Sequence, residues 1–144
     1  MQLIGFAVKK VVAEKFPQFK LGPINTNIEF TNVEEEKAEL LKDEAALKIS
    51  FKFTITYSDS DDKDAQKLGE LLFEGDMIFA TKDEEVKDLT KAWKKNEIPD
   101  KYRLPLINFV LKRCSTKALL LEEDLNLPPH IPFPQIRKGP AKKE

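Results

Sequence analysis

The stretch LKISFKFTITY, residues 47–57, decides the fold class because it alternates apolar and polar side chains along its whole length. Successive side chains of a β-strand point to opposite faces, so this period of two produces one apolar face and one polar face. A helix would scatter the same residues around its circumference. The apolar positions are Leu47, Ile49, Phe51, Phe53, Ile55 and Tyr57. The stretch therefore predicts a long antiparallel strand with one solvent-facing side. It contains no residue that looks chemically reactive.

The composition is that of a soluble globular protein. The chain has 144 residues, of which 41% are hydrophobic and 34% charged, and this length is enough to bury a core. Since 24 basic residues nearly balance 25 acidic ones, no overall field would attract nucleic acid or an acidic membrane. The single cysteine excludes an intramolecular disulfide, and no signal peptide is evident. We expect a cytoplasmic protein without a cofactor, with one domain over residues 1–136 and a polar, flexible tail over residues 137–144.

Three more segments predict strands. Residues 4–12 and the segment that begins at Ile24 alternate in a similar way, and another strand is predicted from Leu68 to Ala80. Gly75 inside this last strand predicts a bulge or a close approach of a neighbouring backbone. Residues 33–44, VEEEKAELLKDE, have a helical composition but lie between two strands, and we favour a hairpin there over a helix. The acidic run SDSDDKD, residues 58–64, predicts a solvated turn, because the glycine and final glutamate of a calcium loop are out of register.

Two helices are predicted after the strands. Thr81 and Glu84 have the spacing of a capping box at the start of the first helix. The second helix is expected to begin near Pro105, where the fixed φ and missing N–H of proline cost nothing. Its predicted apolar stripe consists of Ile107, Leu111, Cys114, Ala118, Leu121 and Leu125. The apolar surface of a stripe this long is larger than one small sheet can cover. We therefore predict that the protein self-associates. The fold class that follows is α+β, a four-stranded antiparallel sheet with two helices packed on it.

The sequence offers little for catalysis, and we expect no enzymatic activity. His130 is the only histidine, so a metal site built from several histidines is excluded. Cys114 and His130 are a conceivable nucleophile and base, but Cys114 lies on the predicted apolar stripe, where a buried, inert thiol is the commoner case. His130 between prolines is interpreted as a surface or packing residue. The scattered glycines form no phosphate-binding loop, and the lysine pairs are too few for a nucleic-acid footprint.

Three phenylalanines stand apart from the predicted core. Phe16, Phe19 and Phe133 lie in proline-containing segments that regular structure cannot absorb. Such residues either fix their loops to the core or line a groove, and both interpretations stay open. A groove of aromatic side chains beside a sheet suits extended peptides, because apolar pockets bind them with little sequence specificity.

Three short motifs and the order of the elements carry a resemblance to a known family. LLFEGDMIF, residues 71–79, is similar to a family strand with an apolar pair, an acidic residue, a glycine and an Ile-Phe ending. Leu104-Pro105 is similar to the Phe-Pro that opens the family's last helix. LNLPPHIPF, residues 125–133, is similar to a closing Leu-Asn-Leu-x-Pro run with a phenylalanine after it. The chain thus resembles the SecB-like protein-export chaperones, a family with four antiparallel strands followed by two helices.

The resemblance implies a homotetramer, a dimer of dimers, with a groove for unfolded polypeptide. The loop after the first strand and the closing segment help to line the groove in that family. The corresponding residues here are Phe16, Phe19, Ile131 and Phe133. The Cys-Pro that commonly precedes the family's last helix is replaced by Ile98-Pro99-Asp100, which leaves a link to the export motor ATPase open.

Two functional hypotheses follow. The first is an ATP-independent holdase that binds unfolded or partly folded polypeptides through the aromatic-lined groove. The alternative is a non-enzymatic adaptor or assembly module of the same fold, dedicated to one protein partner such as an antitoxin. Neither hypothesis involves nucleic acid or insertion into a membrane.

Overall fold

Four antiparallel strands form a single sheet, and two helices follow them in the chain. The computed structural model describes residues 1–36 and 44–136. The strands are β1 (Gln2–Lys15), β2 (Ile24–Glu36), β3 (Glu44–Ser58) and β4 (Lys67–Lys82), and the helices are α1 (Asp83–Trp93) and α2 (Asp100–Asp124). The predicted α+β fold class is confirmed. The predicted tail over residues 137–144 lies outside the described residues.

The strand predicted from residues 47–57 is the centre of the sheet. The spatial order is β1-β4-β3-β2, so β3 and β4 are both paired on two sides while β1 and β2 form the edges. All six apolar residues of the 47–57 stretch are buried, and the intervening polar residues are half-buried. The period of two therefore translates directly into one core face and one polar face. Both helices pack on the core face, α1 against β2, β3 and β4, and α2 against β3 and β4.

Residues 33–44 continue the two flanking strands as far as the structure describes them. Antiparallel pairing extends to Glu36 opposite Ala46, which agrees with the hairpin and not with a helix in residues 33–36. The rest of the predicted hairpin, residues 37–43, lies outside the described part of the chain.

Gly75 lies at a close approach of two strands, as the sequence predicts. The register of β1 against β4 shifts between Val8 and Lys10, opposite Gly75 and Glu74. A β-carbon at Gly75 would lie 3.0 Å from the Val8 α-carbon and 3.0 Å from the Phe51 ring. The bulge is therefore on β1, and Gly75 leaves the room that the bulged backbone occupies.

The predicted capping box at Thr81 and Glu84 is wrong. Thr81 is still in β4, where it pairs with Ala45, and the cap residue of α1 is Lys82 without a side-chain hydrogen bond. The strand extends two residues past its predicted end at Ala80, because pairing with β3 continues to Lys82. The spacing of Thr81 and Glu84 is that of a helix cap, but Thr81 is a paired residue of the sheet.

The predicted start of the last helix at Pro105 is also wrong. Helix α2 begins at Asp100, and the carbonyl of Pro99 accepts hydrogen bonds from the amides of Tyr102 (2.9 Å) and Arg103 (3.0 Å). Pro105 lies within the helix, where its missing N–H leaves only the Lys101 carbonyl without its usual intrahelical donor. Burial of Tyr102 and Leu106, four residues apart on the core side, explains the earlier start.

The buried face of α2 is rotated from the predicted stripe. Cys114 and Ala118 are buried as predicted, but Ile107, Leu111, Leu121 and Leu125 are only half-buried. The fully buried positions recur every four residues: Tyr102, Leu106, Val110, Cys114, Ala118 and Glu122. A glutamate therefore takes the last core position of the helix.

Candidate functional site

The end of α2 turns the chain sharply and starts the segment that shapes the candidate site. Asn126 has a φ of 53°, a left-handed conformation that asparagine tolerates better than most residues. The amide of Leu127 donates to the Glu122 carbonyl (2.8 Å), and the amide of Asn126 donates to the Glu123 carbonyl (3.2 Å). These two bonds form a Schellman motif, which reverses the chain at a helix end. Residues 127–136, the closing segment, then leave the helix axis.

An apolar cavity of about 420 Å³ lies between the last turns of α2 and the closing segment. Leu120 is 60% exposed and Phe133 is 58% exposed, so two large apolar side chains at the cavity face water. The lining residues are Thr116, Leu119, Leu120, Glu122, Glu123, Leu127, Pro129 and Phe133. Apolar pockets of this size with a few polar groups are typical of binding sites.

Of the four residues predicted to bind peptide, the structure places one in this cavity. Phe133 lines it, while Ile131 is 40% exposed on the closing segment and is not among the lining residues. Phe19 packs edge-on against Tyr57, with ring centroids 6.2 Å apart. Phe16 is half-buried, and its amide donates to the Leu68 carbonyl (3.0 Å). The Phe19 ring therefore fixes the loop to the core on the Tyr57 side of the site, and the Phe16 backbone attaches it to β4.

The residues predicted to bind peptide do not include the leucines of the cavity. Leu119 and Leu120 lie beside Leu121 in a run of three leucines on α2. Consecutive helical residues point in directions about 100° apart, so three leucines in a row do not all fit one buried face. That run was the available signal for an exposed apolar surface on this helix.

A buried polar cluster, formed by Tyr57, Ser115, Glu122 and His130, lies behind the cavity wall. Nδ1 of His130 is 2.8 Å from Oε1 of Glu122, and the Tyr57 hydroxyl donates a hydrogen bond to the other carboxyl oxygen. The side chains of His130 and Glu122 are 1% and 2% exposed. Of the two interpretations of His130, a surface or a packing residue, the structure agrees with packing, because Glu122 supplies the acceptor that a buried imidazole needs.

The other contacts of the polar cluster tie it to three parts of the fold. The Tyr57 hydroxyl is 3.1 Å from the Pro128 carbonyl, and Nε2 of His130 is 3.4 Å from the Ser115 hydroxyl. Burial, together with the hydrogen bond to Glu122, raises the pKa of Tyr57, so the phenol keeps its proton. The cluster thus joins β3, α2 and the closing segment.

The geometry gives the remaining candidate nucleophile no means of activation. Cys114 is fully buried, and burial raises the pKa of its thiol to about 11, so the thiol is protonated at neutral pH. Within residues 1–36 and 44–136, no group of three or more metal-ligating side chains comes together. No helix in this part of the chain is long and apolar enough to cross a membrane.

Comparison with solved structures identifies a structural neighbour. No family model and no curated protein matches the chain. Among solved structures, the chain is similar to a SecB-like chaperone of Mycobacterium tuberculosis, determined in complex with a peptide from an antitoxin. The match covers 94% of this chain and 91% of that chain, with 14% sequence identity and a TM-score of 0.46.

Proposed function

We propose that this protein is an ATP-independent chaperone that binds exposed apolar segments of other polypeptides in the cavity between α2 and the closing segment. The observation that carries the proposal is the pair of solvent-facing side chains Leu120 and Phe133 at an apolar cavity. Exposed apolar surface of this kind is costly in water and commonly marks a place where a partner binds. The resemblance of the closing LNLPPHIPF motif to that of export chaperones supports the same conclusion.

The chemistry of the cavity suits side chains rather than a polar small molecule. Leucine, proline and phenylalanine dominate its lining, and its volume of about 420 Å³ has room for a few apolar side chains. Such a surface binds by excluding water, which requires neither a nucleotide nor a catalytic group. The proposed activity is therefore non-enzymatic.

The test is suppression of aggregation. A chemically unfolded client protein is diluted into buffer without nucleotide, with this protein at a stoichiometric ratio, and light scattering is followed. We expect scattering to fall in proportion to the chaperone added. Unchanged scattering, together with no binding of labelled apolar peptides, would contradict the proposal.

The second candidate is a module dedicated to one protein partner. The size of the cavity favours it, because room for only a few side chains fits one short segment better than many clients. Affinity capture from the native cell extract distinguishes the two candidates. One stoichiometric protein, with no suppression of client aggregation, would select the dedicated module over the general holdase.

Self-association is part of the proposal. Ile4 and Val11 on the edge strand β1 are each 49% exposed. These side chains add to the apolar surface that one protomer leaves in water, and an oligomer, a dimer or tetramer, would cover part of it. Sedimentation equilibrium at micromolar concentration measures the mass directly, and a monomer would contradict this part of the proposal.

A further inference from the structure

The closing segment has few attachments to the rest of the molecule. Four of its ten residues are Pro128, Pro129, Pro132 and Pro134, which have no N–H to donate. Within the described part of the segment, residues 128–136 make no backbone–backbone hydrogen bond. Within the described part of the chain, the polar contacts of residues 128–136 come from the polar cluster: the Tyr57 hydroxyl, whose proton goes to Glu122, lies 3.1 Å from the Pro128 carbonyl, and the His130 ring bonds Glu122 and Ser115.

Glu122 is the centre of these attachments. One carboxyl oxygen accepts from Nδ1 of His130 and the other from the Tyr57 hydroxyl, so both oxygens have a donor although the side chain is buried. This arrangement requires a proton on Nδ1 of His130, whether the imidazole is neutral or charged. A neutral imidazole then accepts at Nε2 from the Ser115 hydroxyl, which lies 3.4 Å away. The ring also packs edge-on against Phe53, with centroids 6.1 Å apart.

The same residues determine where Phe133 lies. Glu122 lines the cavity, and His130, which it holds, precedes Phe133 by three residues in the closing segment. The other wall of the cavity is on α2 itself, at Leu119 and Leu120. The distance between the two walls therefore depends on the bond between an α2 residue and a closing-segment residue. We propose that His130 is a positioning residue: bound to Glu122, whose other carboxyl oxygen accepts from Tyr57, it holds the closing segment at the spacing from α2 that keeps the apolar cavity formed.

The proposal deepens the proposed function, because it names what shapes the binding site. Its first test needs no ligand. Nitrogen-15 NMR of the His130 imidazole in the full-length protein should show a protonated Nδ1. The Leu119 and Leu120 methyl resonances should show ring-current shifts from Phe133. A His130 that is protonated only on Nε2 would overturn the proposal, whether or not any peptide binds.

The second test removes the attachment without leaving a buried charge. The double variant Glu122→Leu/His130→Leu replaces both polar partners, and Glu122→Gln is the conservative variant that keeps an acceptor for Nδ1 of His130. In the double variant we expect the ring-current shifts of the leucine methyls to collapse. We also expect an apolar model peptide to bind at least about tenfold more weakly, while far-UV circular dichroism keeps the native helix content. Glu122→Gln should restore most of the shifts and of the affinity.

Each outcome decides between a positioning role and a purely structural one. A double variant that keeps both the methyl shifts and the peptide affinity would overturn the proposal. If the double variant does not fold, Tyr57→Phe replaces it. That change deletes only the hydroxyl that donates to Glu122 and lies 3.1 Å from the Pro128 carbonyl. Unchanged shifts in Tyr57→Phe would then count against the proposal. If the wild-type protein binds no peptide, the proposed function fails, and the NMR measurements still test the position of the segment.

Discussion

Replacing His130 with leucine should destabilise the protein strongly, although histidine is the more polar side chain and its site is buried. The change removes the donor to Oε1 of Glu122, which is 2.8 Å away in the native protein, and leaves a carboxyl group on a side chain that is 2% exposed. Removing the donor to a buried charged acceptor typically costs about 1–3 kcal/mol or more, because the acceptor stays desolvated without its compensating hydrogen bond. We therefore expect His130→Leu to lower the free energy of unfolding by about 3 kcal/mol at pH 7.

The matched control is Glu122→Leu/His130→Leu, in which both polar partners are gone. Replacing a whole buried pair by apolar residues of similar volume is often neutral or stabilising, so the double variant should regain most of the loss. The measurement is urea unfolding followed by circular dichroism, at one fixed protein concentration because association affects apparent stability. A loss below about 1 kcal/mol in His130→Leu would refute the reasoning, since that is the size expected of an exposed pair. A double variant no more stable than the single one would refute it as well.

Three further predictions concern other parts of the fold. Gly75→Ala should destabilise the protein by about 1–3 kcal/mol in urea unfolding, because the new β-carbon would collide with the Ala7 carbonyl. Gly5→Ala, whose β-carbon would meet Ile78 at 3.4 Å, should change stability far less, and equal effects would contradict the packing argument. Cys114, with a thiol pKa of about 11, should resist iodoacetamide at pH 8 and react fully in urea, so rapid labelling of the folded protein would contradict its burial. Burial opposes ionisation of Asp76, but hydrogen bonds from Lys9 and Ser50 outweigh it and hold the pKa below its ordinary value. The stabilisation from Asp76 is therefore present above about pH 4 and lost in more acidic solution, and Asp76→Asn should flatten the acid limb of a stability–pH curve.

The sheet was predictable from the sequence because its signal is local. Residues 47–57 bury every second side chain. A glycine inside a strand, Gly75, indicates a close approach of a neighbouring backbone even when the strand that pairs with it is not known. The errors arise where tertiary contacts outweigh local rules. Thr81 has a good capping neighbour three residues on, yet pairing with Ala45 keeps it in β4. Proline is favoured in the first turn of a helix, yet the helix begins five residues before Pro105, at Asp100, because this places Tyr102 in the core.

The candidate site was predictable only in part, for the same physical reason. Phe133 could be identified, because prolines on both sides exclude it from regular structure. Phe16 and Phe19 carry a similar signal, but their loop packs against the core near Tyr57 and does not line the cavity. The polar cluster could not be identified, since Tyr57 and Glu122 are 65 residues apart in the chain and no local pattern connects them.

The most direct test of the central claim compares two leucines of α2. Leu120 and Leu104 are 60% and 68% exposed, but only Leu120 is among the residues that line the cavity. Isothermal titration of a labelled apolar peptide measures the affinity of Leu120→Ser and Leu104→Ser against the wild-type protein. If the cavity binds polypeptide, Leu120→Ser should weaken binding by about tenfold or more, while Leu104→Ser should leave it within about twofold. Equal affinities for all three proteins, or the larger loss in Leu104→Ser, would contradict the claim that this cavity is the binding site.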